Sequence, residues 1–300
     1  MIFLDSISYC SNQIMVVRDD LFPAIGGGNK ARKMVEYERD IKYNTSNALV
    51  TTGGIQSNHC RAVALLAAKN QWKCHIVYHG TKDRYEKEKG NAFLVKMTGA
   101  SIEFVTPDKI GSSMDYAMEK FKRMGLKPYY ITGGGHDIPG GIAYVKAIVE
   151  LYEKLKPYHW KPNYIIFASG TGSTQCGIML GLHLVGWDDV KAIGISVARN
   201  KQRGVDVIND FSDRLCSYYH IKKNLKDHVI FYDDFINGGY EKKDESLEIR
   251  LKDVAQKTGL LLDSTYSGKA FYGMMELIEK KYINGNILFW HTGGIMNLLK

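Results

Sequence analysis

Short apolar runs alternate with longer helix-forming runs along almost the whole 300-residue chain, and this alternation restricts the fold more than any other feature of the sequence. Runs at 14–17, 48–52, 74–78, 101–105, 128–132, 164–168, 190–197, 229–232 and 286–290 read as strands. Helices are expected over 31–41, 57–70, 85–97, 112–124, 142–155, 175–185, 203–219, 243–257 and 267–283. Strands separated by helices imply parallel sheets with both faces covered. Such sheets bind ligands beyond the carboxyl ends of their strands. The glycine-rich stretches of this chain fall at those ends. The segment 156–163, with two prolines, reads as a lobe boundary. The expectation is a two-lobed α/β protein, with a small lobe over 48–158 inserted into a large lobe made of 1–47 and 159–300.

Three glycine stretches carry the chemistry. GGGNKARK (26–33) brings Lys30 to the start of a helix, just past a loop whose backbone can approach a ligand closely. TTGGIQSNHCRA (51–62) places Ser57, Asn58 and His59 at the start of another helix. Ser57 suits an N-cap, and His59 reads as a satisfied helix histidine. ASGTGST (168–174) runs from an apolar strand into a helix. A helix N-terminus offers unpaired N–H groups and a positive partial charge, which suits a phosphate, with Ser173 and Thr174 as further hydroxyl donors. The stretch lacks the lysine of a Walker loop, and no acid ends the next strand, where a dinucleotide site would place one for ribose. A single phosphate is therefore the better match. Lys30 has the chemistry of an amine that attacks a carbonyl once deprotonated. Burial would lower its pKa, and Arg32 and Lys33 are nearby charges that could add to the shift. An amine, a phosphate cradle and an amide for a ring hydroxyl are together what pyridoxal phosphate requires.

Composition narrows the alternatives. The hydrophobic fraction of 45% and charged fraction of 24% allow a core of ordinary size. The net charge of +8 is spread over mixed surface runs rather than one basic stripe, and no nucleic-acid-binding signature is apparent. No apolar run approaches a membrane span, and the N-terminus does not read as a secretory signal. Five scattered cysteines without a CxxC pair suit reduced thiols in a cytoplasmic setting, and give no metal motif.

Four co-linear stretches carry a resemblance: GGGNKARK, GGIQSNHCRAVALLAAK, LLDSTYSGKAFYGM and ILFWHTGG. Together they resemble the D-cysteine desulfhydrase and 1-aminocyclopropane-1-carboxylate (ACC) deaminase family, pyridoxal-phosphate enzymes of the tryptophan synthase β-subunit fold, fold type II. The resemblance implies that Lys30 carries the cofactor aldehyde and that Asn58 bonds the ring hydroxyl. It implies that Gly170, Thr171, Gly172, Ser173 and Thr174 hold the phosphate and that Thr292 faces the pyridine nitrogen. Ser57 would hold the substrate carboxylate or act near the reacting carbon. Tyr266 would lie near the substrate, with Tyr240 as a second phenol. His291 and Trp290 are expected to be packing residues.

The chain also departs from the family pattern. Ser267 follows Tyr266 where ACC deaminases have Glu, which leans toward β-elimination. His136 and Asp137 stand where the family has Ser-Asn, and the phosphate loop GTGST differs from the usual serine-alanine-glycine-threonine form. The implied reaction is α,β-elimination of a small amino acid, D-cysteine first, by a homodimer. The alternatives are ACC deamination, another fold type II replacement or racemase activity, and a non-catalytic pyridoxal-phosphate-binding homologue.

Overall fold

The computed structural model describes residues 1–236, 239 and 244–299. In chain order the elements are β1 (Leu4–Tyr9), β2 (Asn12–Arg18), α1 (Gly28–Tyr43), β3 (Ala48–Gly54), α2 (Asn58–Lys69), β4 (Lys73–His79), α3 (Lys82–Lys87), α4 (Gly90–Met97), β5 (Ser101–Val105) and α5 (Ile110–Arg123). They continue with β6 (Pro128–Ile131), α6 (Ile138–Leu155), β7 (Tyr164–Ser169), α7 (Ser173–Leu184), β8 (Lys191–Ser196), α8 (Lys201–Tyr218), β9 (Ile230–Tyr232), α9 (Glu245–Thr258), α10 (Ser267–Glu279) and β10 (Ile287–His291).

The strands form two sheets, ordered β1-β2-β10-β7-β8-β9 and β5-β4-β3-β6. All pairings are parallel except β1 with β2. The central strands are buried on both faces, which is why they read as unbroken apolar runs. In the larger sheet, α6, α7 and α8 pack on one side and α9 and α10 on the other. In the smaller sheet, α1, α2 and α4 cover one side and α5 the other.

Four differences from the sequence expectations have physical causes. Strand β1 escapes detection because Asp5, Ser6 and Ser8 make it polar on an edge, and because its hairpin turns through Cys10 and Ser11 at positive φ rather than through glycine. The helix expected over 85–97 is broken between α3 and α4, where the Gln56 amide donates to Glu88 and to the carbonyl of Lys89. Helix α6 starts at Ile138 rather than 142. Its glycines are there for contact: a Cβ on Gly141 would lie 2.8 Å from Leu215 Cδ1. The expected boundary at 158 groups α6 with the small lobe, yet its buried face, including Tyr144 and Ile148, joins the core of the larger sheet with Phe167 and Leu180.

Candidate active site

The glycine-rich ends of both sheets converge on one cleft. It is lined by Asn29, Lys30, Asn58, Ala168 to Gly172, Thr174, Tyr266 and Thr292 to Gly294. Helix α1 is pinned at its first turn to the end of β10, with the Asn29 N–H donating to the Thr292 carbonyl at 2.8 Å. A Cβ on Gly293 would stand 2.6 Å from Gly28 Cα, so the two segments pass where only glycine fits.

The Lys30 amine donates to the Gly134 carbonyl at 2.8 Å. Burial pushes its pKa down to about 8. The neighbouring cations are not the cause. Arg32 is turned away and donates Nε and Nη2 to Asp19 Oδ1 at 2.9 and 2.6 Å. The same carboxylate accepts from the indole of Trp290 at 2.8 Å. That contact fixes Trp290 as a packing residue. His291 is buried beside it, with Nε2 2.9 Å from the Leu261 carbonyl.

Lys33, one turn on, was read from sequence only as a charge near Lys30. It is fully buried and donates to Ser173 Oγ at 2.7 Å. Burial first, and the charge of Lys30 second, drive its pKa well down. The signal was present: lysines three apart in GGGNKARK share one helix face.

Helix α7 begins with Gly172 as its N-cap at φ 95, without a side-chain cap. Gly170, Thr171, Gly172 and Thr174 line the cleft. Ser173 does not offer its hydroxyl there, as expected from sequence, but donates it to the Gly135 carbonyl at 2.9 Å. Ser57 caps α2, its hydroxyl accepting from the N–H groups of His59 and Cys60 at 3.2 Å. Asn58 presents its amide to the cleft, with Oδ1 accepting from Asn91 Nδ2 at 3.0 Å. Tyr266 and Thr292 also line the cleft, and Tyr240 lies outside the described residues.

Two histidines, His59 buried and His136 partly buried, stand near the site. Thr51 spends its hydroxyl proton on the Ile131 carbonyl, so His59 Nε2, at 2.8 Å, must donate to Thr51. Burial and then the charges of Lys30 and Lys33 hold His59 neutral. His136 packs on Phe211 at 4.5 Å and is pushed down to about 3, by burial first and then by Lys33 and Arg199. Ser267 is buried and does not line the cleft; its hydroxyl donates to Asp263 Oδ1 at 2.8 Å.

These residues suit pyridoxal phosphate by their own chemistry. The site has an amine that is partly neutral near pH 8, a glycine-capped helix start for a phosphate, and the Asn58 amide lining the same cleft. Comparison with known proteins agrees. The model of the family described as pyridoxal-phosphate dependent enzyme matches residues 1–293. The chain belongs to the pyridoxal-phosphate-dependent enzyme family. The bifunctional D-cysteine desulfhydrase/ACC deaminase of Arabidopsis thaliana is 32% identical over 299 residues, 95% of this chain and 73% of the relative. The D-cysteine desulfhydrase of Salmonella typhi is 30% identical over 296 residues, 95% of this chain and 88% of the relative. A solved ACC deaminase homologue superposes with a TM-score of 0.87 at 30% identity, covering 95% of this chain and 85% of that one. This pyridoxal-phosphate enzyme therefore has the fold type II architecture expected from its motifs, and belongs with the ACC deaminases and D-cysteine desulfhydrases. Among the described residues no helix is long and apolar enough to cross a membrane.

Proposed function

We propose that the enzyme catalyses α,β-elimination of D-cysteine, which with water gives pyruvate, ammonia and hydrogen sulfide. The observation that carries the reading is Lys30, an amine drawn down to about pKa 8 in the cleft where both sheets end. When bound, pyridoxal phosphate supplies an aldehyde for amines and a ring that takes up electrons released at Cα. The chain supplies the rest. Lys30 would hold the aldehyde, and its amine, when free, would take the Cα proton. The first N–H groups of α7, in the loop Gly170 to Thr174, hold the phosphate, and Lys33 braces that loop through Ser173. Asn58 donates to the ring hydroxyl, and Thr292 faces the ring nitrogen with a neutral hydroxyl. Ser57 and Tyr266 stand by the substrate, with Tyr240 as a second phenol. The enzyme works as a cytoplasmic homodimer on a small amino acid.

Elimination asks less of this site than ring opening. A thiolate leaves readily, because a thiol has a pKa of about 8.5. Cyclopropane opening breaks a carbon–carbon bond and needs an acid or nucleophile at the ring carbon. The residue after Tyr266 is a serine and carries no carboxylate, and its hydroxyl is committed to Asp263 Oδ1. ACC deamination is the second reading, favoured by the bifunctional name of the Arabidopsis relative. A panel of both cysteine enantiomers and ACC separates them. Pyruvate with sulfide from D-cysteine supports elimination. 2-Oxobutyrate from ACC, without sulfide from either cysteine, replaces it with ring opening.

A further inference from the structure

Asn58 has an amide that can face the cleft with either its oxygen or its nitrogen, and only the nitrogen can donate. We infer that a buried chain of side chains, Asp263–Asn297–Asn91, fixes which end faces inward, and so makes Asn58 a donor to the cofactor ring.

The chain leaves no freedom of orientation. Asp263 is a buried carboxylate, an acceptor at both oxygens. Its Oδ1 receives the N–H and hydroxyl of Ser267 at 3.0 and 2.8 Å, and its Oδ2 the N–H groups of Thr265 and Tyr266 at 3.1 and 3.0 Å. Asn297 also approaches Oδ2, at 3.2 Å, and must do so with its Nδ2. Its Oδ1 then faces Asn91, whose Nδ2 donates at 2.8 Å. Asn91 is fixed a second time, because its Nδ2 lies 3.1 Å from the Gln56 carbonyl, which only accepts. Asn91 Nδ2 has two hydrogens shared among three acceptors and no lone pair to offer, so Asn58 can approach it at 3.0 Å only with Oδ1, which leaves its own Nδ2 for the cleft.

Two further features fit a positioning role. Asn91 is fully buried, yet its Oδ1 has no partner among the described residues. A buried amide with an unsatisfied carbonyl is costly, so its donor end is what the site uses. The main chain of Asn91 is also held, its N–H donating to Gln56 Oε1 at 3.0 Å. The chain crosses between the sheets: Asn58 and Asn91 begin α2 and α4 of the smaller one, while Asp263 and Asn297 flank the end of the larger. Through the Tyr266 N–H, Asp263 also holds a second residue that lines the cleft.

The inference rests on Asn58 as the ring partner, and the test separates the two. The full-length protein, stripped and titrated with pyridoxal phosphate, gives the dissociation constant; thermal melting gives stability. Asn58→Ala is expected to weaken binding about tenfold, as one lost hydrogen bond does. Asn91→Asp turns the donor into an acceptor, rotates the Asn58 amide, and is expected to weaken binding at least as much. Asn91→Leu and Asn297→Leu weaken it severalfold without adding charge. In the Asn58→Ala background, Asn91→Leu is expected to add nothing to the dissociation constant while still lowering the melting temperature. Unchanged binding in Asn58→Ala removes the ring-partner reading. A weakened Asn58→Ala beside unchanged Asn91 and Asn297 variants overturns the orienting chain alone, as does an Asn91→Leu effect that persists in full without Asn58. If Asn91→Asp does not fold, the Asn297→Leu titration decides.

Discussion

Helices α2 and α7 begin alike in the sequence. Each follows a strand of a parallel sheet, each is preceded by glycine, and each begins beside a hydroxyl residue at the same cleft. They differ at the N-cap. Ser57 satisfies the first N–H groups of α2 with its own side chain, whereas Gly172 leaves those of α7 uncapped. A helix capped by a side chain has little left for an anion, while one capped by glycine is open to it. The contrast supports α7 as the proposed phosphate site and α2 as the helix that presents a side chain, Asn58, instead of its backbone.

The strongest way to break this contrast is to remove the group that both helices are proposed to serve. Lys30→Ala is expected to lower pyruvate release from D-cysteine by about 10³-fold or more, since it removes both the aldehyde anchor and the base. Retention of activity within tenfold would leave the cleft without its centre. The next largest effect comes from closing the uncapped helix. Gly172→Val forces a branched residue to φ 95, with a Cβ 3.0 Å from Ile208 Cγ1. We expect the dissociation constant for pyridoxal phosphate to rise by about 100-fold, combining backbone strain with a distorted phosphate loop. A titration showing no loss would mean that the phosphate lies elsewhere.

The sequence revealed the frame of this site better than its wiring. Lys30, Asn58 and the loop Gly170 to Thr174 were legible because glycines and helix starts leave local marks in a chain. The parallel strands were legible because burial on both faces makes them uniformly apolar. What escaped depends on distant pairing. Ser173 looks like a phosphate ligand in sequence, and only the fold shows its hydroxyl committed to Gly135 and approached by Lys33, 140 residues earlier. Asn91 sits in an unremarkable helical run, and its value comes from Asn297, 206 residues away. Position 267 was read as leaning toward elimination because serine carries no carboxylate, and the structure adds that its hydroxyl too is withdrawn, by its bond to Asp263.

Two smaller effects sharpen the contrast. Lys33→Met keeps the buried volume but removes the hydrogen bond to Ser173. It is expected to weaken cofactor binding about tenfold, chiefly through the α7 start, its contacts with the Gly134 and Gly135 carbonyls being longer at 3.4 Å. An equal loss in a Ser173→Ala variant, with no further loss in the double variant, would place both residues on one path. Ser57→Ala acts on the other helix and asks whether capping is a matter of stability or of cofactor binding. Removing an N-cap hydroxyl costs about 1 kcal/mol of folding stability, because two backbone donors lose their acceptor inside the protein. Urea unfolding of the apo protein should show that loss. Pyridoxal phosphate titration of the same variant should give a dissociation constant within about twofold of the parent, since α2 does not hold the phosphate. A cofactor loss as large as that of Gly172→Val would erase the distinction between the two helix starts.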